Sequence, residues 1–234
     1  MRLLWAIALA PFARPSDFTT NETAWCRDHI YLPSGGFCPN APYAGMDSSL
    51  AASLVEYFER HHRDERVETT IGDFGAGGGW YSENFNSRPG LRSSPYDYSP
   101  QAGTPVVKFD VSKVLGSEVP VFDFVLCLEV GEHIPNEFED TFLDNLATHA
   151  RHGIVLSWAL PGQGGVGHVN TQPNDYVVAR MAERGWVEHP RATAEFRARA
   201  RFKWFKRTLL AFGSKHDRRL RAAGPGTPRA QKGG

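Results

Sequence analysis

The stretch that most constrains this chain is Ile71-Gly72-Asp73-Phe74-Gly75-Ala76-Gly77-Gly78-Gly79-Trp80. A β-branched, apolar run from Val67 to Ile71 leads into it, and the aromatic segment Trp80 to Phe85 follows. The pattern predicts a buried strand, a glycine turn and the start of a helix. Glycine reaches positive φ at little cost and lets a ligand approach the backbone. A helix start also offers free N–H groups to an anionic part of a ligand. A dinucleotide fingerprint requires G-x-G-x-x-G. Counted from Gly75, Trp80 stands where the third glycine belongs; counted from Gly77, Ser82 stands there.

The run instead fits acid-x-Gly-x-Gly-x-Gly, as Asp73, Gly75, Gly77 and Gly79. This resembles motif I of the class I S-adenosylmethionine (SAM)-dependent methyltransferases. The resemblance continues through residues 46–212. Asp97, 18 residues past Gly79, stands where that family places a carboxylate on the ribose diol. Asp110 closes the run from Val106 and stands where the family places an acid against the adenine amine, with Val111 beside it. Phe122-Asp123-Phe124-Val125 followed by Glu132-His133-Ile134-Pro135 resembles motif IV and its loop, with Leu128 and Glu129 bordering the methionine end. By this resemblance Asp73, Gly75, Ala76, Gly77, Gly79, Asp97, Asp110, Val111, Leu128 and Glu129 bind SAM, with S-adenosylhomocysteine (SAH) as product. The implied activity is methyl transfer to a small-molecule acceptor.

Strands alternate with helical patterns from about residue 47 to 190, which calls for a parallel sheet covered by helices on both faces. The family implies the rest of an α/β, doubly wound, mostly parallel seven-stranded sheet with an antiparallel last strand. Asp47 or Ser48 is placed to cap a helix with apolar positions Leu50, Leu54, Val55 and Phe58. Pro95 makes the second strand poor, and the helix that would follow it is missing. Pro135-Asn136 opens a helix to about His149; Gly153 to Ala159 is the fifth strand; Pro173 starts a helix that stops at Gly185. Trp186-Val187 is a short strand, Ala194 to Arg207 a basic helix, and Thr208 to Phe212 the last strand.

His133 is the candidate general base, because histidine titrates near neutral pH. Helix capping or packing is its alternative role. The loop Leu160 to Asn170 carries four glycines and reads as a mobile lid, with Trp158, His168 and Asn170 shaping an acceptor pocket. His168 is a second catalytic candidate. Methyl transfer needs a base only when the acceptor must lose a proton.

The chain divides into an apolar, targeting-like segment (1–20), an irregular lead (21–46), the SAM-binding domain (47–212) and a basic tail read as disordered (213–234). Leu3 to Ala10 with Ala8-Leu9-Ala10 suits a secretory signal, an organelle-targeting segment or an ordinary hydrophobic N-terminus. A cytoplasmic location follows only from the last. No other stretch approaches membrane-spanning length. The cysteines make no C-x-x-C pair, and no metal site is expected. Cys26 and Cys38 are open to pairing or to remaining thiols; Cys127 reads as core. Thirteen of the 26 Lys/Arg but only 2 of the 26 Asp/Glu lie from Arg191 onward. That basic end suits a solvated helix and tail, or an anionic partner such as nucleic acid. Three rivals stay open: a nicotinamide-dependent oxidoreductase, a non-catalytic SAM-fold protein and a nucleic-acid methyltransferase.

Overall fold

A computed structural model describes residues 26–28, 32, 36–38, 45–61, 67–100 and 103–215. The targeting-like segment, most of the lead and the tail beyond 215 lie outside the described residues.

Seven strands form one sheet: β1 (Thr69–Phe74), β2 (Leu91–Asp97), β3 (Val107–Lys108), β4 (Phe122–Leu128), β5 (Ala150–Ser157), β6 (Trp186–Glu188) and β7 (Leu209–Ser214). Their order is β3-β2-β1-β4-β5-β7-β6. The first five pair in parallel, and β7 runs antiparallel to both β5 and β6. This is the expected sheet. β1 is flanked by β2 and β4, so the strand order reverses beside it. In an open α/β sheet the crevice for ligands forms at that reversal, off the carboxyl ends.

Helices cover both faces. On one, α1 (Ser48–His61), α2 (Trp80–Asn86), α5 (Pro190–Arg199) and α6 (Phe205–Thr208) pack; on the other, α3 (Glu139–His149) and α4 (Asn174–Glu183). The apolar stripe of α1 is buried as its spacing predicts, with Leu50, Leu54, Val55 and Phe58 joining Phe85, Phe124 and Phe196 in one core. Phe142, Leu146, Val177 and Met181 form the other core with Phe74, Cys127 and Leu156 of the sheet. Cys127 is thus a core residue. Among the described residues no helix is long and apolar enough to cross a membrane.

Several boundaries differ from the sequence reading. β2 is a full strand despite Pro95, which sits opposite Asp73. Tyr96 turns its carbonyl to the β1 side and Asp97 turns its carbonyl to Phe109 on the β3 side. Pro95 therefore points its donor-less nitrogen toward β3, which starts only at Val107, opposite Tyr96. No ladder bond is lost there. β3 is only two residues long, so Asp110 lies in the turn beyond it. Among the described residues no helix joins β2 to β3. Asn136–Phe138 is a 3-10 turn that precedes α3. β5 starts at Ala150 and ends at Ser157, earlier at both ends than expected. β7 continues through Gly213 and Ser214, which the sequence assigned to the tail.

The largest departure is the basic helix, which breaks between Arg199 and Phe205. Asp47 holds the break open. Its Oδ1 accepts from the N–H of Ser49 (3.1 Å) and Leu50 (3.0 Å), capping α1, and its Oδ2 accepts from the N–H of Arg201 (2.6 Å) and Phe202 (2.8 Å). Its own N–H donates to Tyr81 Oη at 3.1 Å. One carboxylate thereby caps the N-terminus of α1 and satisfies two N–H groups of the irregular segment between α5 and α6. Asp47→Ala is expected to cost about 2–4 kcal/mol in urea unfolding, because it strands four buried or half-buried donors. A loss below about 0.5 kcal/mol would show that the break is held by packing alone.

Candidate functional site

The carboxyl ends of β1, β2 and β4 open into a cavity of about 240 Å³. The glycine turn forms its floor. Gly75, Gly77 and Gly79 have φ of 82°, 56° and 79°, the left-handed region that glycine alone enters freely. A Cβ on Gly75 would lie 2.2 Å from Val130 Cγ2. The turn is tied to the end of β2: Gly75 and Ala76 both donate to the Tyr96 carbonyl (2.8 and 2.9 Å), and Gly77 donates to Asp97 Oδ2 (2.8 Å). Gly79 donates to the Ala76 carbonyl. These four N–H groups are thus consumed by the end of β2 and by the turn itself and are not offered to a ligand. Gly79 does not reach the cavity. It caps α2, where a Cβ would lie 3.0 Å from Val106.

Every other expected cofactor residue lines the cavity: Asp73, Gly75, Ala76, Gly77, Asp97, Asp110, Val111, Leu128 and Glu129. Among the described residues no lysine or arginine lines it. Asp73 is buried and accepts from Ser82 Oγ at 2.8 Å, and Ser82 in turn contacts Ser93 Oγ at 2.8 Å. Burial pushes the Asp73 carboxyl up to about 7; the Ser82 bond opposes that rise and the nearby Asp97 charge adds to it. Ser82, absent from the expected site, is what orients Asp73. Asp110 serves two ends. Its Oδ1 accepts from Ser112 N (3.1 Å) and Oγ (2.5 Å), a turn cap, while Oδ2 pairs with Lys113 at 3.0 Å.

Glu129 is the one described non-glycine residue with positive φ, 55°. Left-handed backbone at a glutamate costs free energy and marks functional ground. Ser157 holds it, accepting from Glu129 N–H (2.8 Å) and donating to Oε1 (2.7 Å). The reversal turns the chain into the 3-10 segment Gly131–His133. Burial raises the Glu129 carboxyl above its ordinary range, with the Ser157 hydroxyl opposing.

His133 lines the cavity and packs edge-on to Phe37, ring centroids 4.7 Å apart. Burial pushes its pKa down to about 4, partly offset by the Gly167 carbonyl 3.0 Å from Nδ1. It is neutral at neutral pH, so the titration that made it the candidate base does not occur there. His168 does not line the cavity; its Nδ1 is 3.0 Å from the Gln163 carbonyl. Trp158 and Asn170 do not line it either. Trp158 is buried against Phe142 and donates to the Asn170 carbonyl at 2.5 Å, and Asn170 donates to Glu139 at 2.9 Å. Val169 and Asn170 both donate to the Glu132 carbonyl. The 160–170 loop is therefore anchored at its far end, not the free lid its glycines suggested.

The remaining wall is aromatic. Phe37, Trp80, Tyr81, Tyr98, Phe109, Phe202, Trp204 and Phe205 all line the cavity. Phe202 packs on Trp204 at 4.8 Å and on Phe205 at 5.9 Å. Phe37 is brought in by the lead, where Cys26 and Cys38 form a disulfide. Sequence reasoning missed this wall because Phe202, Trp204 and Phe205 lie inside the lysine- and arginine-rich run. Of the basic residues there, Arg199 is neutralised by Glu56.

No protein-family model matches this chain, and no curated protein matches its sequence. Solved structures do match. SAM-bound amino pentose methyltransferase from Micromonospora echinaspora, involved in calicheamicin biosynthesis, superposes with a TM-score of 0.52 at 14% identity, over 84% of this chain and 97% of that one. Magnesium protoporphyrin IX methyltransferase from Synechocystis PCC 6803 with bound SAH gives 0.49 at 16% identity, over 84% and 95%. The first of these shows that the chain has the fold of a class I methyltransferase.

Asp73 makes stability depend on pH. Its folded pKa of about 7 exceeds the unfolded value near 3.8, so folding favours its protonated form. That contribution is full below about pH 4 and is lost as pH rises toward 7. Asp73→Asn, which keeps an acceptor for Ser82, is expected to raise the stability of the ligand-free protein at pH 8 by roughly 1–2 kcal/mol. It should change little at pH 4. Equal denaturation midpoints at both pH values would show that the carboxyl titrates normally.

Proposed function

We propose that this protein is a SAM-dependent methyltransferase that acts on a small-molecule acceptor. The observation that carries the reading is the charge of the cavity. Asp73, Asp97, Asp110 and Glu129 line it, no lysine or arginine among the described residues does, and the N–H groups of Gly75, Ala76, Gly77 and Gly79 are already bonded. A diphosphate-bearing dinucleotide would meet carboxylates where it needs donors. An adenosyl ligand with an ammonium and a sulfonium brings the complementary charge.

In this reading Asp73 meets the ammonium, and Asp97, whose carboxylate accepts from Gly77 and Ser99, also accepts from the ribose hydroxyls. Asp110 and Val111 flank adenine. Leu128 and Glu129 border the methyl-bearing end, and the aromatic wall excludes water from it. The chain's contribution to catalysis is alignment of acceptor, methyl carbon and sulfur. His133 is neutral, with its proton on Nδ1 toward Gly167, and stands at the cavity wall. The pairing of Arg199 with Glu56 removes part of the basic surface that a nucleic-acid substrate would use.

Calorimetry with SAM, SAH and NADH tests the reading. Micromolar binding of both adenosyl ligands and none of NADH is expected. Protonated Asp73 cannot pair with an ammonium, so SAH affinity should fall about tenfold per pH unit as pH drops below about 7. Asp73→Asn should bind at least tenfold more weakly at pH 8 and lose that slope. No adenosyl binding by folded protein would leave a non-catalytic member of the fold.

A further inference from the structure

Behind His133, away from the glycine turn, Glu132, His133 and His168 converge. One ligating atom from each lies within 4.8 Å of the others. Glu132 is fully buried, and neither carboxylate oxygen meets a donor at full hydrogen-bond geometry among the described residues; the N–H groups of Glu132 itself and of Ala159 lie near and only partly oppose the effect of burial. A buried carboxylate in that state calls for a proton or a cation. Glu129 adds a second negative charge against it.

The two imidazoles are arranged to receive a cation. Each Nδ1 lies 3.0 Å from a backbone carbonyl, Gly167 for His133 and Gln163 for His168. A carbonyl only accepts, so each Nδ1 carries the ring proton and each Nε2 keeps a bare lone pair. Metal-ligating histidines are held in this way, the far ring nitrogen donating to a carbonyl or carboxylate. His168 Nε2 faces Glu132 Oε1 at 4.0 Å. The room beside that nitrogen exists because residue 165 is glycine: a Cβ there would lie 2.1 Å from Nε2. Ligand atoms on one ion stand about 3–4 Å apart, so small side-chain rotations close the set.

We propose that Glu132, His133 and His168 form a site for a first-row divalent transition ion such as Mn²⁺, Co²⁺ or Zn²⁺. Two imidazoles with one carboxylate favour these ions over Mg²⁺ or Ca²⁺, which take oxygen ligands. The site stands independently of the methyltransferase reading. Should that reading hold, the ion lies at the cavity wall through His133, where it would coordinate an oxygen of the methyl acceptor.

The test uses full-length protein stripped of metal and titrated with Co²⁺ and Zn²⁺, followed by calorimetry and by the visible absorption of Co²⁺. One ion per chain with micromolar or tighter affinity is expected, weakened at least tenfold by Glu132→Gln and by His168→Gln. His168 sits on a loop, so its variant carries the test if Glu132→Gln fails to fold. SAH affinity of His168→Gln should stay within threefold of wild type. Absence of saturable binding in folded wild type, or unchanged affinity in His168→Gln, overturns the site. Wild type that binds no ion while Glu132→Gln melts at a higher temperature means that Glu129 and Glu132 share a proton instead. Metal binding without SAH binding would sink the methyltransferase reading alone.

Discussion

Three N–H bonds tie the glycine turn to the end of β2, and the rest of the site follows from them. Gly75 and Ala76 share the Tyr96 carbonyl, and Gly77 takes Asp97. They fix the turn against its neighbouring strand with no ligand present. They also spend the donors that a phosphate would need. What remains facing the cavity is carboxylate, and the turn's left-handed glycines let Val130 approach from β4 to within contact of Gly75. A loop usually associated with anions thereby becomes the floor of a cation-seeking cavity.

A second carboxylate does comparable work on the opposite side. Asp47 joins the start of α1, the break after α5 and the Tyr81 hydroxyl. Without the break, α5 would continue and carry Phe202, Trp204 and Phe205 around its axis instead of presenting them to the cavity. The aromatic wall is thus set by one buried acid 155 residues away in sequence.

The strand–turn–helix at residues 69–86, the α1 stripe and the apolar β4 run were legible because local pattern and tertiary demand agree there. Asp73, Asp97 and Glu129 were legible because their spacing follows the strand ends. The break after Arg199 was not, since its cause is Asp47, a contact no window along the chain contains. The full length of β2 was hidden by Pro95, whose missing donor matters only once the short reach of β3 is known. His133 and His168 were read as isolated bases. Their burial, their paired carbonyls and the buried, under-satisfied Glu132 beside them appear only when the 160–170 loop folds back. The four glycines of that loop signalled motion, yet Gly165 serves to seat a ring.

The sheet order has a consequence for how the molecule comes into being. β7 is last in sequence but sits inside the sheet, and β6 joins only through it. A chain emerging from the ribosome can pair β1, β2, β4 and β5 early, while β6 must wait for residues 209–214. Phe202, Trp204 and Phe205 arrive in the same late segment. A nascent chain therefore shows an exposed β5 edge and a cavity without its aromatic wall until synthesis passes that point. Strand order thus sets the order of completion: a chain ended before residue 209 has the glycine turn but no closed site, and an open β5 edge.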